Sequence, residues 1–281
     1  MKLFNRVAII GVGEIGGSIG KDLKARGLAK EIIGIGRRRS SLIKARTAGA
    51  VDKDFLVDRI GNGVKDADLI ILATPVGRMA ELGKKAALSA KEGAIMTDVG
   101  STKGMIVRSL EKILPEKVRF VGSHPMAGSE KGGPLSARLD LFEGRDCFIT
   151  RTKNTDEEAL EIVKKFWKRL GANTIEVTLA EHDRIVAKIS QMVHLVASCL
   201  IIANKDVLRY AASGFRDTTR IALSDPVLWR DICLTNNKNI ARSLDELIVI
   251  LRKFRNAILK EKAAHIERML GKARELRRTL G

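Results

Sequence analysis

The chain of 281 residues is poor in cysteine, aromatic residues and acidic groups, and each shortage excludes something. Its three cysteines, Cys147, Cys199 and Cys233, lie far apart and form no C-x-x-C pair, so neither a disulfide framework nor a metal site is indicated. A reducing, cytoplasmic setting is expected. Aromatic residues are only 4% of the total, which argues against a surface that stacks single-stranded bases. No uncharged run reaches the ~20 apolar residues of a membrane span. The longest, residues 189–204, contains Ser190, Gln191 and His194 and reads as a buried helix. The apolar run in MKLFNRVAIIGVGEIGG is broken early by Gly and Glu, and no small-residue cleavage site follows, so export is not expected. Acidic groups are outnumbered 33 to 51 by Lys and Arg, giving a net charge of +18. That excess calls for an anion and leaves a basic nucleic-acid-binding protein open on charge alone. The rest of the composition, 45% apolar and 30% charged, is that of a globular chain long enough for two domains.

From the start, short β-branched runs alternate with longer amphipathic ones: 6–12 then 16–29, 31–35 then 40–49, 69–73, 94–97 then 102–113, and 118–121. This alternation predicts a parallel sheet with crossover helices. The runs VAII and LIILA lack polar alternation, as strands covered on both faces do. A strand at 147–150, a helix over about 156–170 and a strand at 174–177 follow. From about residue 180 the period is helical, with Ser224-Asp225-Pro226 as one helix start and a last helix over about 243–279. The expected architecture is α/β: a Rossmann-type doubly wound domain, residues 1–178, then an all-helical domain, residues 179–281.

The first strand runs into Gly11-Val12-Gly13-Glu14-Ile15-Gly16, a G-x-G-x-x-G with a strand before it and a helix after it. Gly11 permits the tight turn, Gly13 lets backbone approach a pyrophosphate, and Gly16 allows close helix packing, while the helix N-terminus offers its N–H groups to phosphate. Gly11, Gly13, Ile15 and Gly16 are therefore candidate dinucleotide contacts. At the end of the second strand, where an NAD-binding fold carries an acid for the ribose, the chain reads Gly36-Arg37-Arg38-Arg39-Ser40-Ser41. Arg37, Arg38 and Ser40 suit a 2′-phosphate and favour NADP over NAD. A solvated arginine run beside the adenine would leave NAD acceptable.

Three further strand ends are polar: Thr74 before Pro75, Asp98 to Gly104, and Gly122 to Glu130. All belong on the carboxyl edge of the sheet, where ligands of such folds bind. There His124 can act as acid or base, Ser101 can orient it, and Lys103 adds positive charge. His182 reads as a helix-start residue and His265 as solvated.

The strings DVGSTKG, GSHPMAGSEKGG, EHDRIVAKISQMVH and GFRDTTRIALSDPVLWRDI, in this order behind the glycine loop, resemble the prephenate dehydrogenase family over about residues 5–260. That family includes the arogenate and cyclohexadienyl dehydrogenases of tyrosine biosynthesis. The resemblance implies an NAD(P)-dependent oxidoreductase in which His124 is the catalytic base for the ring C4 hydroxyl. Ser101 would hydrogen-bond that histidine and the hydroxyl, and Arg220 would bind a substrate carboxylate. Lys103, Ser190, His194, Glu130 and Trp229 would line or gate the pocket. Many relatives read S-H-L-P-H where this chain has Ser190-Gln191-Met192-Val193-His194, which leaves any histidine role there to His194. Ser190 and His194, at i and i+4, are expected on one helix face.

The substrate implied is a small molecule, prephenate or arogenate. The lack of a carboxylate around residues 211–213 leans toward prephenate, although Glu130 offers one for an ammonium. The family also implies a homodimer, with residues 197–203 as candidate contacts, and no C-terminal regulatory ACT domain is expected. Two alternatives stay open: a basic nucleic-acid-binding protein, which leaves HPMAG and the glycine loop unexplained, and another dehydrogenase of β-hydroxyacid or pyrroline-carboxylate type.

Overall fold

The computed structural model describes residues 2–130 and 132–280. Eight strands among these form one sheet: β1 Phe4–Ile10, β2 Ala29–Gly36, β3 Lys53–Leu56, β4 Leu69–Leu72, β5 Ala94–Asp98, β6 Val118–Pro125, β7 Asp146–Thr150 and β8 Asn173–Val177. Their order across the sheet is β3-β2-β1-β4-β5-β6-β7-β8. The strands from β3 to β6 in that order run parallel, and β7 pairs antiparallel with β6, setting His124 opposite Phe148. β8 runs parallel to β7. The sheet is thus the expected doubly wound one, extended by two reversed strands.

The helices are α1 Glu14–Ala25, α2 Arg39–Thr47, α3 Ile60–Val64, α4 Val76–Ser89, α5 Gly104–Ile113, α6 Glu157–Arg169, α7 Leu179–Val186, α8 Met192–Ala203, α9 Ser213–Thr219, α10 Pro226–Thr235, α11 Asn237–Leu259 and α12 Ala263–Arg278. The edge strand β3 and the helix α4 were not read from the sequence. β3 is four residues, KDFL, one exposed and three half-buried, too short and too charged to stand out. Alternate residues of the central strands feed two cores. Val7, Ile9, Leu69 and Ile71 pack on one face with Ile19 and Leu23 of α1 and Phe166 and Trp167 of α6. Ala8, Ile10, Ile70 and Leu72 pack on the other with Met79 and Leu82 of α4 and Ile106 and Leu110 of α5. Strands covered on both sides need no polar alternation, which is why their sequences are continuously apolar.

The chain divides into two compact units, Met1–Asn237 and Lys238–Gly281. In the first, α7 packs on α5 and β7, α8 packs on the short turn Arg220–Leu223, and α10 packs on α4. α10 begins as expected: Asp225 caps it, accepting hydrogen bonds from Val227 N and Leu228 N at 2.7 and 3.2 Å, with Pro226 in the first turn. In the second unit, the single helix expected over 243–279 is two helices. The break falls at Glu261, whose φ of +48° is left-handed and turns the chain between α11 and α12.

The reading of residues 189–204 as a buried helix is corrected. The helical run Leu179–Ala203 is apolar enough by composition to cross a membrane, yet only 28% of its most apolar window is buried. Ile189, Val193 and Ile202 are 59%, 42% and 71% exposed. Its polar face is committed to the fold, because His182, Asp183 and Gln191 are buried.

Candidate active site

The glycine loop has the close approaches its motif demands. Gly11 has φ +104°, and a Cβ there would lie 2.3 Å from Ala73 O on the next strand end. A Cβ on Gly16 would lie 2.0 Å from Gly11 O, so this glycine is a packing residue. Gly13 opens α1 without a side-chain cap, leaving its first N–H groups for a ligand, and nothing lies within 4 Å of a Cβ placed there. A cavity of about 390 Å³ adjoins the loop, lined by Gly11, Gly13, Arg37, Arg38, Ser41, Thr74 and Arg78 among others. Thr74 Oγ1 is buried with no hydrogen-bond partner among the described residues. An uncapped helix start, three guanidinium groups and an orphaned hydroxyl fit a dinucleotide.

One expected contact changes: Ser41 lines the cavity and Ser40 does not. Arg39, beside them, pairs with Asp54 at 2.9 Å, and the Ile15 side chain is partly buried against the core. Arg78, from the first turn of α4, was missed because nothing in its local sequence marks it as cavity-lining.

His124 stands near the end of β6 and is 8% exposed. Its Nδ1 lies 2.9 Å from His182 Nε2, and His182 Nδ1 lies 2.9 Å from Asp183 Oδ1. The proton positions follow from donor chemistry. A carboxylate oxygen only accepts, so His182 Nδ1 carries hydrogen and its Nε2 presents a lone pair. His124 Nδ1 must then donate, which leaves His124 Nε2 as an unprotonated acceptor without a protein partner among the described residues. Asp183 also accepts from the backbone N–H groups of Lys103 and Gly104 at 2.8 and 2.9 Å, fixing the start of α5.

Burial pushes the His124 pKa well below the ordinary value of 6.5, and neighbouring His182 and Lys103 add to this. Burial lowers His182 too, against the pull of Asp183, so the His182–Asp183 contact is a neutral imidazole on a carboxylate. Burial alone would raise Asp183, but hydrogen bonds from His182 and the Lys103 and Gly104 amides hold it below its usual range.

The hydrogen bond on His124 Nδ1 thus comes from His182, and none joins Ser101 to His124 among the described residues. The sequence alone places His182 only at a helix start, because its partner is 58 positions away. One local signal was present: Thr178 and Glu181 form a capping box, which puts His182 and Asp183 in the first turn of α7. Ser101 lies on the loop after β5, its carbonyl accepting from Gln191 Nε2 at 3.0 Å. Lys103 is also corrected. It is fully buried, with its ammonium on Asp98, and offers no charge to a ligand. Asp98 in turn accepts from Ser123 N and Gly100 N at 3.1 and 2.9 Å, tying the ends of β5 and β6 together.

His194 stacks on Trp229, ring centroids 3.5 Å apart and 5° from parallel, and its buried Nδ1 has no hydrogen-bond partner among the described residues. Arg220 forms an ion pair with Glu130 and is 55% exposed. Ser190 and His194 do not share a regular helix turn, because residues Ala187–Gln191 form a π-turn. Gln191 is buried there and Ser190 is half-buried.

Buried neutral histidines make two outcomes predictable. kcat/KM should stay flat from neutrality down through pH 6.5, the ordinary histidine value, and fall only below it, as His124 Nε2 gains its proton. A midpoint at or above 6.5 would contradict the neutral pair. Stability follows the same sign. The unfolded chain takes up protons at His124, His182 and His194 that the folded chain refuses, so stability present above about pH 6.5 declines as pH falls below it.

Residues 19–176 match the family model for the prephenate dehydrogenase nucleotide-binding domain, and residues 178–272 the model for the prephenate dehydrogenase dimerization domain. The chain is 37% identical to the prephenate dehydrogenase of Bacillus subtilis over 96% of its length and 75% of that protein's. It is 32% identical to the cyclohexadienyl dehydrogenase of Zymomonas mobilis over 92% and 90% of the two chains. A crystal structure of prephenate dehydrogenase from A. aeolicus, in complex with hydroxyphenyl propionate and NAD+, superposes with a TM-score of 0.93 at 32% identity, covering 99% and 98% of the chains. With the glycine loop, the histidine pair and both family models in one chain, this protein belongs to the prephenate dehydrogenase family.

Proposed function

We propose that the enzyme oxidatively decarboxylates prephenate to 4-hydroxyphenylpyruvate, a step of tyrosine biosynthesis, through His124 acting as a neutral general base. The observation that carries this reading is the chain Asp183–His182–His124, which ends in an unprotonated Nε2 on the same sheet edge as the glycine loop. When bound, the oxidised nicotinamide accepts the hydride that leaves ring C4. His124 Nε2 takes the C4 hydroxyl proton as C4 becomes a carbonyl carbon. The C1–carboxylate bond then breaks, its electron pair closes the aromatic ring, CO2 departs, and the proton on His124 returns to the phenolate oxygen. His182 keeps the imidazole in the required tautomer, and Asp183 stabilises the cation formed on the pair.

Ser101 Oγ, which makes no hydrogen bond among the described residues, is assigned to the substrate hydroxyl. Arg220 is assigned to a substrate carboxylate, because its planar fork matches carboxylate geometry. His194, Trp229 and Ser190 are assigned to the pocket wall, and Glu130 to holding Arg220 in place. Glu130, the carboxylate that could meet an ammonium, is already matched with Arg220, which supports prephenate over arogenate. Arg37, Arg38 and Ser41 on the cavity, with no carboxylate beside them there, support NADP+ over NAD+. The exposed apolar residues of the helices, Ile189, Val193 and Ile202 and, in the second unit, Ile248, Val249 and Leu251, support a homodimer of a cytoplasmic enzyme rather than a membrane span. The meeting of the two family models between residues 176 and 178 supports a functional division at 178/179.

Steady-state kinetics with prephenate and arogenate, each with NAD+ and NADP+, test the reading. The highest kcat/KM is expected for prephenate with NADP+; turnover of arogenate alone, or a strong preference for NAD+, would overturn the corresponding choice. Arg220→Ala should raise KM for prephenate by about 10- to 100-fold, the range of a charged hydrogen bond, with a smaller change in kcat. An unchanged KM would remove Arg220 from the carboxylate site.

A further inference from the structure

We infer that the buried amides of Gln191 and Asn236 form a positioning device for Ser101, an inference that rests on the assignment of Ser101 to the substrate hydroxyl. Gln191 is 1% exposed and Asn236 4%. Gln191 Nε2 donates to Ser101 O at 3.0 Å, while Asn236 Nδ2 donates to Gln191 Oε1 and to Asp183 O, both at 2.7 Å. The direction of this chain is forced. Backbone carbonyls only accept, so Gln191 must turn its nitrogen to Ser101, and its oxygen then requires a donor from Asn236. Reversing any link would set oxygen against oxygen in a buried place, where an unmet polar group is costly.

The loop Ser101–Gly104 is gripped at every residue. Gln191 holds Ser101, Thr235 Oγ1 meets Thr102 Oγ1 at 3.0 Å, and the Asp183 carboxylate takes the N–H groups of Lys103 and Gly104. Asp183 is therefore shared: its side chain orients the His182–His124 pair, and its carbonyl anchors the amide chain that ends on Ser101. The base and the serine are placed by a common residue. The π-turn Ala187–Gln191 serves this arrangement, since its extra residue per turn turns Gln191 into the core. Ser101 Oγ makes no hydrogen bond among the described residues, so the backbone grip sets its position.

The test compares kcat and KM for prephenate, dinucleotide Kd and thermal midpoint in Ser101→Ala, Gln191→Met, their double variant, Gln191→His and Asn236→Asp. Gln191→Met and Asn236→Asp should each lower kcat by about tenfold or more, as a misplaced reacting group does, while KM and Kd hold near wild type. The double variant should be no slower than Ser101→Ala. Gln191→His, which keeps a donor nitrogen and an acceptor nitrogen, should recover most of the rate. Asn236→Asp keeps volume while removing both donations of Nδ2, to Gln191 Oε1 and Asp183 O, so it reads the same split if Gln191→Met does not fold. Wild-type kcat in Gln191→Met or Asn236→Asp beside a slow Ser101→Ala, or losses that multiply in the double variant, would overturn the inference. Wild-type kcat in Ser101→Ala would overturn the serine assignment and the inference with it.

Discussion

Replacing His124 with Asn should lower kcat by about 10²- to 10⁴-fold, the range of a lost general base, with KM for prephenate little changed. The side chain would still fill its place at the end of β6 and could still hydrogen-bond His182 Nε2 through its amide. What disappears is the lone pair that receives the hydroxyl proton. Hydride departure from C4 would then build positive charge on a hydroxyl that cannot release its proton. Arg220 is on a separate element, the turn Arg220–Leu223, so carboxylate binding survives. A kcat within a few-fold of wild type would show that another group takes the proton.

The second large effect is on stability. Lys103 and Asp98 are both completely buried, and burial pushes the Lys103 pKa down even against the attraction of Asp98. Breaking such a pair leaves an uncompensated buried charge, so Asp98→Asn should cost about 3–5 kcal/mol in urea unfolding. Adding Lys103→Met should recover most of it, because a dry pair replaced by uncharged groups of similar volume is nearly neutral. A loss of under about 1 kcal/mol in Asp98→Asn would mean that Lys103 is already neutral in the folded chain.

The sheet was legible because its central strands are apolar on both faces and its first turn carries three spaced glycines. The edge strand β3 and the break at Glu261 were not, the first for lack of hydrophobic pattern and the second because a left-handed residue is not announced by Glu. In the site, His124 and the arginines at the end of β2 could be placed from strand ends alone. The partners of His124 could not. His182 and Asp183 come from a helix after the last strand, and the antiparallel turn of β7 that carries this helix back toward β6 is a tertiary event. Lys103 shows the converse, since a lysine in a polar loop reads as a surface charge until the fold buries it against Asp98 five residues earlier. Charge was similarly divided: of the net +18, Arg37, Arg38 and Arg78 line the cavity beside the glycine loop, and Arg39, Arg46, Arg119 and Arg220 are in ion pairs.

The most direct test of the account is product stoichiometry on prephenate with NADP+. Equal amounts of CO2, reduced nicotinamide and 4-hydroxyphenylpyruvate are expected, with all three abolished together in His124→Asn. Reduced nicotinamide formed without CO2, or no turnover of prephenate by the folded wild-type enzyme, would contradict it.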